Sequence, residues 1–153
     1  MLTIPTTDGV AEAIVATPPS GTGPGVLFFM DAFGLRPRIQ DMVDEIASWG
    51  YVVMAPNVFY RDGTADEVAP KGDMTTAEGR EAFFAVAGPR IGHLTSDLAE
   101  KDNDAYVAAL RALPEVTVQR APYPRIRSAG VISCRHHPPS RGLSCRAVAP
   151  SHT

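Results

Sequence analysis

After Glu115 the chain has no acidic residue, and after Lys101 it has no lysine. Cysteine occurs only as Cys134 and Cys145, both in the last 20 of 153 residues, so no disulfide framework ties the earlier part together. Long hydrophobic runs are missing too. Apolar runs such as "VLFFM" (Val26–Met30) and "YVVMAP" (Tyr51–Pro56) fall far short of the length that crosses a bilayer. The opening "MLTIPTTDG" has neither a basic start nor an apolar core, which predicts no secretory signal and a cytoplasmic protein. No internal repeat is present.

What remains is unevenly distributed. Residues 1–119 carry 17 acidic and 8 basic side chains, net −9, whereas residues 120–153 carry six arginines and no acid, net +6. Three of the four histidines and both cysteines also fall in the second segment, with Pro122, Pro124, Pro138, Pro139 and Pro150. This break predicts two parts: a folded region, 1–119, and an Arg/Pro-rich tail, 120–153, too poor in apolar residues to form a core. A basic arm of this kind can serve nucleic acid or an acidic partner, and a non-catalytic binding protein is the alternative to an enzyme. The arginines come without lysine and with scarcely an aromatic between them, a weak footprint for nucleic acid.

The first part reads as strands alternating with helices. "EAIVATP" (Glu12–Pro18) is a strand with a proline stop, and Pro18–Gly25 is a turn-rich loop. Val26–Met30 is a continuous apolar run, the pattern of a strand buried on both faces. Ile39, Met42, Val43, Ile46 and Ala47 recur at helical spacing with Asp41, Asp44 and Glu45 opposite, and Gly50 closes the helix. Tyr51–Pro56 is a second buried strand. Strand, helix, strand over so short a span predicts a parallel βαβ unit. Asn57–Gly72 reads as loop. A short helix is predicted from Thr75, with Glu78 at capping-box spacing, to Gly88-Pro89. A longer one over Thr95–Leu113 turns Leu98, Tyr106, Ala109, Leu110 and Leu113 inward and stops at Pro114. A further strand is then due at Val116–Gln119 or Ala129–Ile132.

In open α/β sheets, ligands bind beyond the carboxyl ends of the strands. Two such places are legible, "DAFGLRP" from Asp31 and "NVFYRDG" from Asn57. Asp31 after an apolar strand reads equally as a turn or helix-entry residue. Arg36, Arg38 and Arg61 either face an anionic substrate or simply solubilise the surface. His93 is a lone loop histidine, and Trp49 and Tyr51 read as core and helix–strand packing.

The run "VLFFMDAFGLRPRIQDMVDEIASWGYVVMAPNVFYRDG" resembles the N-terminal part of the dienelactone hydrolase family, a branch of the α/β hydrolases. "GPRIGHLTSDLAEKDNDAYVAALRALPEV" resembles the helical stretch ahead of that family's nucleophile strand, so the likeness covers residues 10–118. It implies a partial α/β-hydrolase: a three-layer α/β fold with a mostly parallel sheet, truncated before the nucleophile strand and followed by an irregular basic C-terminal tail. It also implies hydrolysis of a small-molecule ester or lactone by a cysteine nucleophile with His and Asp, without metal or cofactor. By the same resemblance Asp31 is the acidic partner of the nucleophile, and Ala32 offers a backbone N–H to the oxyanion hole. Phe33 and Arg36 would contact substrate. Asp31 is one carbon shorter than the family's usual Glu, and Asn57 stands where an acid is common.

The nucleophile itself is not found. An α/β hydrolase mounts it on a strained G-x-S/C-x-G turn. Cys134 has Ile132 and His136 at the flanking positions, Ser128 has Ile126 and Gly130, and Ser144 has Gly142 and Arg146. None fits. A triad also needs an acid after the nucleophile, and none follows Glu115, so His136, His137 and His152 lack a carboxylate of the tail to orient them. Cys134, His136, His137 and Cys145 match no zinc spacing; an unfamiliar cysteine enzyme using Cys134 with His136 or His137 is a third reading. The Arg/Pro/Ser/Cys/His bias, beginning where the nucleophile strand is due, fits translation of a GC-rich gene out of frame from about Val118–Arg120. Without the later strands the sheet would keep an open edge, which predicts self-association.

Overall fold

The chain enters through a hairpin. β1 (Leu2–Thr6) and β2 (Gly9–Ala16) pair antiparallel, Thr6 opposite Gly9, so that Thr7 and Asp8 make a two-residue turn. Asp8 in the turn, Gly9 just after it and the alternation of Leu2 and Ile4 are the local signals for it. β3 (Gly25–Leu27) follows, then α1 (Pro37–Ser48) and β4 (Val52–Pro56), all five residues of which are buried. α2 (Ala65–Val68), α3 (Ala77–His93) and α4 (Ser96–Ala112) complete the elements. This computed structural model describes residues 1–117. Ser128, the Ala129–Ile132 strand, Cys134, His136, His137, Ser144, Cys145 and His152 lie outside the described residues.

The sheet order is β1-β2-β4-β3. β3 and β4 are parallel with Val26 opposite Val53, as the intervening helix predicts, whereas β2 runs antiparallel to β4. The sheet of the described residues is therefore mixed, and the expected mostly parallel sheet is corrected. Only one strand-to-strand link here contains a helix; β1 and β2 are joined by a tight turn, which permits only antiparallel neighbours. β3 is also shorter than the apolar run, ending at Leu27, although Phe28 N–H still donates to Met54 O at 2.8 Å.

Helices cover both faces, which makes three layers. Ile39, Val43 and Ala47 of α1 pack with Ile14, Val53, Ala55, Phe28 and Met30; Tyr106 and Leu110 of α4 pack with Ile4, Ala11, Ala13 and Met54. Alternation along β4 divides its side chains between the two cores. After α4, Val116 forms a parallel bridge with Gly23: Gly23 N–H donates to Glu115 O at 3.0 Å, and Thr117 N–H to Gly23 O at 2.8 Å. The chain thus re-enters the sheet on the outer side of β3. On the opposite edge, exposed Pro5 leaves β1 one donor short for any added strand.

Several local expectations are corrected. Trp49 and Tyr51 are not core: they are 56% and 38% exposed, because α1 ends at Ser48 and its buried stripe stops at Ala47. α3 is capped by Thr76, not Thr75, with its hydroxyl accepting from Gly79 N–H at 3.0 Å. It also runs through Gly88-Pro89 to His93. Burial of Phe83, Ala87 and Arg90 along one face outweighs the helix-breaking pair, and Arg90 Nη1 donates to Val68 O at 2.8 Å. The Asn57–Gly72 loop contains α2, started by a capping box between Thr64 and Glu67. His93 ends a helix; its side chain is 71% exposed and lies 3.3 Å from Asp62. No helix among the described residues is long and apolar enough to cross a membrane.

Candidate active site

The loop after β3 turns sharply at the carboxyl end of the sheet. Gly34 N–H closes the turn on Asp31 O at 3.1 Å, and Gly34 has φ +76°, a conformation that side-chain-bearing residues seldom adopt. Leu35 anchors the far end in the α1-side core, and Pro37 starts α1. Asp31, Ala32, Phe33 and Arg36 therefore lie together on one hydrogen-bonded bend.

Asp31 is tied into this bend by three donors. Its Oδ1 accepts from Arg36 Nη1 at 2.6 Å and from Phe33 N–H at 3.0 Å, and its Oδ2 accepts from Arg36 Nη2 at 2.8 Å. Partial burial alone would raise the carboxyl's pKa. The Arg36 hydrogen bond, the Phe33 N–H and the Arg36 charge outweigh burial and hold it below the usual carboxylate value. A lowered folded-state pKa means that the pair's contribution is complete above the unfolded carboxylate pKa and is lost as pH falls through the folded value. Because half of the Asp31 side chain is exposed, 52%, solvent screening keeps that contribution small. A carboxyl-carbon NMR titration should place Asp31 below an ordinary aspartate, and Arg36→Ala should move it upward; no upward movement would refute the pairing.

Ala32 is half-buried, and its N–H has no acceptor among the described residues. Phe33 stacks on Phe83 with centroids 4.7 Å apart and planes at 17°, and Phe84 meets it edge-on at 5.8 Å. Arg36 lies 5.2 Å over the Phe33 ring. Phe83 and Phe84 went unrecognised in the sequence. Their only signal was two adjacent phenylalanines on an otherwise weakly apolar helix.

The second loop is built on Asn57, which is fully buried. Its Oδ1 accepts from Phe59 N–H and its Nδ2 donates to Gly63 O, each at 3.1 Å. An aspartate could not make the second bond, which explains an amide at this position. Arg61 turns away from the first loop. Its Nη1 and Nη2 contact Asp102 at 2.6 and 2.9 Å, its Nε and Nη2 contact Asp8 at 2.9 and 2.6 Å, and its guanidinium lies 4.5 Å over the Tyr60 ring. Tyr60 hydroxyl adds a bond to Asp102 at 3.0 Å. Arg38 is exposed on the first turn of α1. Among the described residues there is no cluster of His, Cys, Asp and Glu suited to a metal ion.

Helices on both faces of a mixed sheet, with a turn of this kind beyond the carboxyl end of β3, make a three-layer α/β fold whose candidate site lies at a strand end. Its likeness to a solved structure, "Putative Dienelactone Hydrolase from Klebsiella pneumoniae", has a TM-score of 0.57 at 23% identity, over 77% of this chain and 45% of that one. The description of the dienelactone hydrolase family matches residues 11–121, and the chain belongs to that family. Two proteins named "Putative carboxymethylenebutenolidase" are also similar. That of Yersinia pestis is 34% identical over 67 residues, 42% of this chain and 25% of that protein. That of Azospirillum brasilense is 29% identical over 82 residues, 53% of this chain and 34% of that protein. The chain thus spans a quarter to a third of the length of these curated relatives.

Proposed function

We propose that the Asp31–Arg36 bend is the oxyanion half of a hydrolase site for a small ester or lactone, and that this polypeptide alone does not complete the site. The N–H of Ala32, without an acceptor among the described residues, carries the reading. A donor fixed by the bend's own hydrogen bonds can stabilise a developing alkoxide, by about 3 kcal/mol in comparable sites. Asp31 would border the nucleophile, with Phe33 and Arg36 beside the substrate. The bridge at Gly23 and Val116 supports this placement, since it sets the chain after α4 parallel to and beside the start of β3. In this sequence, however, no G-x-C/S-x-G turn and no acid follow Glu115. The composition from about Val118 onward is that of an out-of-frame tail.

Purified as its 153 residues, the protein should hydrolyse a small activated ester no faster than buffer. Saturable turnover that disappears in Cys134→Ala would overturn the incomplete-site reading. Translation of the other two frames from codon 119 should give G-x-C/S-x-G followed by an Asp and a His. If neither frame does, the out-of-frame reading is abandoned.

A further inference from the structure

We infer that Arg90 is a positioning residue for the Asp31–Arg36 bend, acting on it through the short helix α2. The inference rests on the proposed oxyanion role of that bend, because it concerns what keeps the Ala32 N–H in place. Arg90 is 9% exposed, yet among the described residues no carboxylate pairs with it. Buried charges are normally paired. Here Nη1 donates instead to Val68 O at 2.8 Å, and the guanidinium lies 5.7 Å over the Phe59 ring. Val68 is the last residue of α2, where a carbonyl has no partner within its own helix and a basic side chain can supply one.

The residue that Arg90 holds is also the one packed against the turn. A Cβ placed on Gly34 would lie 3.2 Å from Val68 Cγ2 and 3.9 Å from Val68 O, so Val68, 1% exposed, is seated directly on the Gly34 backbone. Gly34 is the left-handed residue whose N–H closes on Asp31 O, two positions after Ala32. The other end of α2 is fastened to the sheet. Glu12 of β2 accepts from Ala65 N–H through Oε2 at 2.5 Å, and from Asn57 N–H through its own carbonyl at 2.7 Å. Glu12 thus fixes where α2 begins, and Arg90 fixes where it ends. Without the guanidinium, the buried Val68 carbonyl has no donor among the described residues, and the peptide that supports Gly34 is free to shift.

Hydrogen exchange and amide NMR of the full chain read this locally. Arg90→Met keeps the apolar stem and removes the donors. It should speed exchange of Gly34 N–H about tenfold and move the Ala32 amide resonance, while Phe28 N–H, bonded to Met54 O in the sheet, keeps its rate. Arg90→Lys returns one charged donor, enough for a single carbonyl, and should bring both signals most of the way back. Val68→Ala leaves the bond from Arg90 and deletes the Cγ2 contact, so it should also release Gly34, by about three- to tenfold. Unchanged Gly34 exchange in either Arg90→Met or Val68→Ala overturns the inference, and so does a lysine variant no closer to the unaltered chain than the methionine one. Equal acceleration at Gly34 and Phe28, or an Arg90→Met chain that does not fold, overturns it as well, since Arg90 would then support the whole domain and not this bend. None of these results bears on the oxyanion reading itself, which turnover and the gene's other frames decide.

Discussion

Arg61→Ala and Asp102→Ala should each lower the free energy of unfolding by about 3–5 kcal/mol, a large share of the roughly 5–15 kcal/mol of an ordinary domain. The Asp102 side chain is 1% exposed, and Arg61 meets both of its oxygens at 2.6 and 2.9 Å. Removing the guanidinium would strand a buried carboxylate with, among the described residues, only the Tyr60 hydroxyl as donor, at 3.0 Å. Removing the carboxylate leaves Arg61 on Asp8 alone and cuts the link between the second loop and α4. Tyr106→Phe, one turn along α4, provides the contrast. Its phenol is buried and has no hydrogen-bond partner among the described residues, while burial and the nearby Asp102 charge push its ionisation upward. Losing an unsatisfied hydroxyl should leave stability unchanged or raise it slightly. Urea unfolding of the full chain and the three variants measures all of this; a loss under 1 kcal/mol for both charge deletions would show that the cluster is not a structural clamp.

Gly23→Ala should cost about 2–3 kcal/mol. A Cβ at this position would lie 2.2 Å from Gly50 O, a backbone atom that cannot swing aside. The shift this forces would also disturb the bonds from Gly23 N–H to Glu115 O and from Thr117 N–H to Gly23 O. Faster hydrogen exchange at Thr117 should therefore accompany the lost stability. Gly88→Ala should do the opposite. It lies inside α3 with nothing within 4 Å of the new Cβ, so the gain in helix propensity, about 0.5–1 kcal/mol, is realised. If both substitutions have the same effect, close approach at Gly23 is not what limits that position.

Elements that bury one face were legible because burial leaves a period in the sequence. α1 and α4 follow the predicted spacing, and β4 coincides with the second apolar run to within a residue. Asp31, Ala32, Phe33 and Arg36 could be singled out because they follow a buried strand and lead into a helix. The Thr76 cap and the passage of α3 through Pro89 were not legible. Local signals there compete with burial of Phe83, Ala87 and Arg90, whose partners come from other parts of the chain.

Residue order and composition alone were enough for the α/β alternation, the βαβ unit, the break in charge near residue 119 and the absence of a G-x-S/C-x-G motif. Tertiary structure alone decided how the charges are used. Arg36 reaches Asp31 only because the chain doubles back at Gly34, and Arg61 finds its partners 53 and 41 positions away in Asp8 and Asp102. It likewise brought Phe83 against Phe33 across 50 residues. Periodicity records which side of an element faces inward. It carries no information about which distant side chain will be waiting there, because that depends on how the elements are arranged in space.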